Sequence, residues 1–95
     1  MIVDDYQLNP GEYALLPGHG PKIHLFVFSL SPVNAFIVDS ANLERYRHRQ
    51  QFKHHGPGTV TSFSAFLEVP GSGECFAIIE NPAPESVQVS VKVWN

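Results

Sequence analysis

Ninety-five residues make one domain, too short for two independent cores, and the single unit is expected to span residues 1–95. Apolar residues reach 43%, enough for a packed interior, while charged residues are only 16% against roughly 25% in soluble domains, so part of the surface is expected to be covered by something else. The net charge of −3 is unevenly spread: Arg45 to His55 holds four cations, three histidines and no acid, leaving two cations against nine acids elsewhere, and a pI near 5.9 argues against nucleic acid as partner.

In chain order, Ile2 to Leu8 reads as a short strand. The start, MIVDDYQLNPGEY, carries two acids where a signal peptide needs positive charge and then an apolar stretch. Asn9-Pro10-Gly11 is a turn and Glu12 to Leu16 a second strand. Pro17-Gly18-His19-Gly20-Pro21 reads as a loop, Lys22 to Leu30 as a long strand, Ser31-Pro32 as a turn, and Val33 to Val38 as another strand. At Asp39 or Ser40 the two-residue period gives way to a short helix over about residues 40–49. Either side chain can cap it by accepting a free backbone N–H, and with Asp39 as cap Val38 and Leu43 take the positions of a hydrophobic staple. Arg45 and Arg49, four apart, would share a helix face, with Leu43 and Tyr46 packing inward, before Gly56-Pro57-Gly58 breaks the pattern.

The second half alternates more cleanly. Thr59 to Val69 sets Phe63, Ala65, Leu67 and Val69 against Ser62, Ser64 and Glu68. Pro70-Gly71-Ser72-Gly73 turns the chain into Glu74 to Glu80, which contains Cys75. As the only cysteine, in the apolar run CFAII, Cys75 reads as a core hydrophobe; with no internal disulfide available, a reducing cytoplasm is the expected compartment. Asn81-Pro82-Ala83-Pro84 makes the last turn, and Val87, Val89, Val91 and Val93 define one buried face of the final strand. No run approaches the roughly 18 apolar residues of a membrane span. Seven strands and one helix without a βαβ rhythm lead us to expect an all-β, antiparallel two-sheet sandwich, jelly-roll-like, with the helix in a crossover.

The segments FIVDSANLERY, TVTSFSAFLEVPGSGECFAIIEN and SVQVSVKV together resemble small bacterial jelly-roll-like domains of unknown function, a family found alone or associated with TIR domains. The likeness to the Golgi-dynamics type of β-sandwich is looser. It covers about the last two thirds of the chain and rests on cap, turn and core positions. What it implies is a fold and a bacterial defence or signalling context, with no catalytic residue to carry over.

Two sets of residues could carry function. Arg45, Arg47, Arg49 and Lys53 form a basic patch able to hold an anion such as a nucleotide, phosphate or acidic sugar, since guanidinium groups pair with phosphate and carboxylate through two hydrogen bonds. The second set is apolar. Lys22 to Val38 is hydrophobic on both strand faces, and Phe66 and Trp94 interrupt polar ones, so Phe26, Phe28, Phe36, Phe66 and Trp94 are expected to form a contact surface. His19, His24, His48, His54 and His55 show no HxH or HExxH spacing, and neither a nucleophile motif nor a phosphate loop is present. The resulting expectation is a non-enzymatic interaction or assembly module without metal or cofactor, joined to a protein partner or to itself.

Overall fold

The computed structural model describes residues 4–70 and 73–94. The expected start of the first strand at Ile2 and the centre of the Pro70–Gly73 turn lie outside them. The elements are β1 (Asp4–Leu8), β2 (Tyr13–His19), β3 (Lys22–Asp39), α1 (Ser40–Arg47), β4 (His55–Glu68), β5 (Glu74–Glu80) and β6 (Val87–Trp94). All strand pairings are antiparallel, and hydrogen bonds join the six strands into one sheet in the order β1-β6-β3-β5-β2, with β4 along the other edge of β3.

The expected two sheets are thus wings of a single curled sheet, joined through β3. Residues 24–29 of β3 pair with β6, and residues 34–39 pair with β5. Between these stretches the ladder to β4 is also interrupted, from Phe28 to Val33. There the Ser29 hydroxyl donates to the Ser31 carbonyl at 2.6 Å, a local bond that takes the place of ladder bonds at the corner. The expected Ser31-Pro32 turn does not form. Pro32 falls where β3 changes neighbours, so its missing N–H interrupts no ladder bond, and two expected strands become one of 18 residues.

The curl gathers the inward-facing residues of both wings into one core. Ile23, Leu25, Val27, Val33, Ala35 and Ile37 are fully buried along β3, joined by Ala77 and Ile79 of β5 and Val87, Val89 and Val91 of β6. Phe63, Leu67 and Val93 pack against them, as the alternation of β4 and β6 leads one to expect. Cys75 is buried in this core, which pushes its thiol pKa up and leaves it protonated.

The expected Pro17–Pro21 loop is shorter than its composition implies. Pro17, Gly18 and His19 continue β2 and pair with Phe76, Cys75 and Glu74. Gly18 fits here because any side chain would collide with Ile23 and crowd Val93. Gly56-Pro57-Gly58 likewise lies within β4, at a register irregularity opposite Ala35–Ile37, rather than ahead of the strand.

One end of the molecule is organised by Asn81, only 1% exposed. Its amide donates to the carbonyls of Leu8 and Glu85 at 2.9 and 2.7 Å, and its side-chain oxygen accepts from the Ala83 N–H at 2.9 Å. Its backbone N–H donates to the Glu12 carbonyl, and its own carbonyl accepts from the Gly11 N–H. A single side chain therefore fastens the β5–β6 turn to the end of β1, and all of its buried polar atoms are satisfied.

Candidate functional site

The outer sides of the two wings differ. Over the second half of β3 and β5, α1 and the returning segment form a lid. The Asp39 carboxylate accepts from the Asn42 backbone N–H at 2.8 Å and from the Asn42 amide at 2.9 Å, making Asp39 the cap and holding its carboxyl pKa below the usual carboxylate value. Val38 and Leu43, the expected staple pair, are both buried in a second cluster with Phe36 and Ile78. Asn42 also accepts from the Lys53 backbone N–H at 2.8 Å, which draws Phe52 and His54 over Phe36. The Tyr46 hydroxyl donates to Glu80 at 2.7 Å, Asn34 donates to the other Glu80 oxygen at 2.9 Å, and Thr59 donates to Asn34 at 2.8 Å. Burial and the Glu80 carboxylate raise the Tyr46 pKa well above that of an ordinary phenol.

Phe36 is therefore corrected: expected at the contact surface, it is 6% exposed and belongs to the cluster under the helix. The helix supplies the apolar cover that this half of β3 needs.

The basic patch also departs from expectation. The helix ends at Arg47, so Arg45 and Arg49 do not share a helical face. Arg49 follows the C-cap His48 with φ 56, in the left-handed region. The Arg49 N–H bonds to the Tyr46 carbonyl and the Gln50 N–H to the Arg45 carbonyl, a Schellman closure in which arginine occupies the position glycine favours. Arg45, Arg47, Arg49 and Lys53 are all exposed. Arg47 pairs with Glu44 at 3.5 Å, and His48 approaches the other Glu44 oxygen at 3.6 Å. Arg47 and Arg49 flank a depression of about 370 Å³ bounded by Gly11, Tyr13 and Tyr46. Among the described residues, no three His, Cys, Asp or Glu side chains converge as metal ligands would.

On the first half of β3 no such lid is present among the described residues. Outward positions of β4, β3, β6 and β1 form rows across the sheet. His24 stands between Phe66 and Trp94, Phe26 between Ser64 and Lys92, and Phe28 between Ser62 and Ser90, with Asp5 beyond. The His24 ring stacks on Trp94 at 3.9 Å and meets Phe66 edge-on at 4.6 Å. Lys22 lies over Phe66 and Lys92 over Trp94, at 5.2 and 5.4 Å from the ring centres. Phe28 is 48% exposed, Phe66 53% and Leu30 81%, while Phe26 and Trp94 are half-buried. Beside Phe28 and Leu30 a groove of about 530 Å³ is bounded by Asp5, Gln7, Gln88 and Ser90.

Four of the five residues expected at a contact surface thus lie together: Phe26, Phe28, Phe66 and Trp94. Leu30 and His24 complete the stripe and lie outside the five residues expected at the contact surface. The signal for them is the run Lys22, His24, Phe26, Phe28, Leu30 on alternate positions of one strand. No protein-family model matches the chain, and a search of curated proteins finds no match.

Proposed function

We propose that this chain is a non-enzymatic protein-docking module, jelly-roll-like in kind, whose contact surface is the bare outer face of β4-β3-β6-β1. One observation carries the reading: Phe28, Leu30 and Phe66 are large, apolar and exposed on one outer face, bridged by half-buried Phe26, of a sheet whose other face packs into the core. The chemistry of the stripe favours a protein over a stacked base or sugar, because Trp94 and Phe66 already engage His24, Lys22 and Lys92. The resemblance to TIR-associated bacterial domains makes a cytoplasmic signalling or defence assembly the fitting context.

Site-specific photo-crosslinking tests the reading. A photoreactive residue at Leu30 or Phe66 should give protein adducts in the producing cell, and one at the exposed turn residue Glu85 should give none. Equal crosslinking at all three positions, or at none, would remove the docking face.

A second reading, an anion site, is favoured by Arg49. Its left-handed backbone carries a cost that a C-terminal glycine would avoid, and its side chain lies beside Arg47 at the Tyr13–Tyr46 depression. The helix C-terminus opposes it, since the partial negative charge there attracts cations rather than anions. Inorganic phosphate binding that weakens with salt and is lost on joint Arg47→Ala and Arg49→Ala replacement would support this reading, and binding indifferent to both would remove it.

A further inference from the structure

We propose that the occupant of the bare face is a second copy of this chain, packed face to face about a two-fold axis that runs across the strands in the plane of contact. The inference rests on the docking reading above and names its partner.

The face is polar in the sense of having two unlike ends. One end carries His24, Phe66 and Trp94 with the Lys22–Glu68 pair of neighbours beyond them and Lys92 in the next row; the other carries Phe28 and Leu30 beside the groove, with Asp5 at its border. A two-fold contact requires a self-complementary patch, in which one residue meets a second and the second meets the first in return. An axis across the strands turns the rows end for end. It sets the His24 row of one copy over the Leu30 end of the other, and lays Lys92 near the partner copy's Ser90–Asp5 row. Cation then meets carboxylate and aromatic ring meets the groove beside Phe28 and Leu30, each twice. An axis along the strands would instead set each row against itself and leave Asp5, in the row of Ser62, Phe28 and Ser90, without a cation opposite it.

The size of the face agrees with this occupant. β4 flanks this run of β3 only as far as Phe28, β6 begins at His24 and β1 at Val27, so at about 4.8 Å between strands and about 3.4 Å per residue the patch covers roughly 450 Å². Two such patches bury on the order of 1,000 Å², at the lower limit for a specific interface, so a dimer that forms and dissociates in the micromolar range is expected. Sheets stacked about 10 Å apart leave room for the side chains of both faces to interdigitate.

Light scattering on the purified 95-residue chain, from about 10 µM to about 1 mM, should show mass rising from 10.6 kDa toward twice that value. Leu30→Asp should abolish the rise while leaving the melting temperature of the dilute protein unchanged, since Leu30 is 81% exposed. Lys92→Glu and Asp5→Lys should each weaken dimerisation roughly tenfold, and their combination should regain most of the loss. A chain monomeric throughout, but crosslinked through Leu30 to a different protein in the cell, would overturn the second copy and keep the docking face. A dimer that survives Leu30→Asp, or a charge exchange without recovery, would place the contact elsewhere and overturn the proposal.

Discussion

Phe28 and Phe36 sit on the same side of the same strand, yet Phe28 is 48% exposed and Phe36 only 6%. The inner side of β3 treats both halves alike, with Ile23, Leu25, Val27, Val33, Ala35 and Ile37 all buried. The difference lies in what the chain does next. At Asp39 the strand ends in a helix cap, and α1 with the Phe52–His54 segment folds back over the half it has just left. Nothing among the described residues returns over the first half. Apolar character on both sides of a strand therefore has two origins here, an internal lid at one end and a bare face at the other.

The harshest way to break this comparison is one substitution made on both halves. Phe36→Asp places a carboxylate under the helix among Val38, Leu43 and Ile78, at a cost of several kcal/mol, comparable to the ~5–15 kcal/mol of a whole domain. It should unfold the protein by circular dichroism. Phe28→Asp should leave the melting temperature within a few degrees, because its carboxylate reaches water. Equal effects at the two positions would mean that the bare face is covered from within.

Asn81→Ala should cost about 1–3 kcal/mol, since it strands the buried Leu8 carbonyl and removes the part-buried bonds to the Glu85 carbonyl and the Ala83 N–H at the end shared by both wings. Urea denaturation measures it. Because Asn81 belongs to neither outer face, its loss should lower global stability without changing the accessibility of Phe28. A loss below about 0.5 kcal/mol would mean that water replaces all three bonds.

Removing the start of the lid is milder. Asp39→Ala should cost about 1 kcal/mol, and hydrogen exchange should quicken in α1 while β4 and β6 retain their protection. The pH arm follows from the lowered carboxyl pKa. The folded protein binds this proton less readily than the unfolded chain, so the contribution is fully present above about pH 4 and fades as pH falls through the lower folded value. Asp39→Ser caps without titrating in this range, so it should lose the part of the acid destabilisation that Asp39 causes. An unchanged acid limb in that variant would assign the effect to other carboxylates.

Local chemistry made much of this legible beforehand. The Val87–Val93 alternation, the Asp39 cap and the Val38–Leu43 staple are short-range patterns, and each stands where the residues place it. What escaped depends on pairing between distant segments. The fusion of two strands across Pro32 follows from β3 exchanging β6 for β5, which no local pattern records. Phe36 was grouped with Phe26 and Phe28 because alternation identifies a face but not what lies above it. Asn81 read as a turn residue, and its three side-chain partners come from the end of β1 and the turn into β6. Within the basic patch, composition indicated exposure correctly, while helical spacing failed at Arg49 because the helix closes two residues earlier than the charge pattern.

The smallest predicted change sharpens the lidded half. Arg49 holds φ 56 at the position after the helix cap, where a side chain costs roughly 1–2 kcal/mol relative to the right-handed region. Glycine there avoids that cost but gives back part of the gain through the greater freedom of the unfolded chain. Arg49→Gly should therefore raise stability by about 0.5–1 kcal/mol, seen as a few degrees in calorimetry, with the Schellman bonds to Tyr46 and Arg45 retained. The bare face should be indifferent, so dimerisation through Leu30 should not change. A protein stabilised by this substitution that also loses phosphate binding would show that the arginine is kept for its charge at the expense of its backbone. One stabilised without any loss of binding would mark Arg49 as an ordinary solvated residue in a strained position.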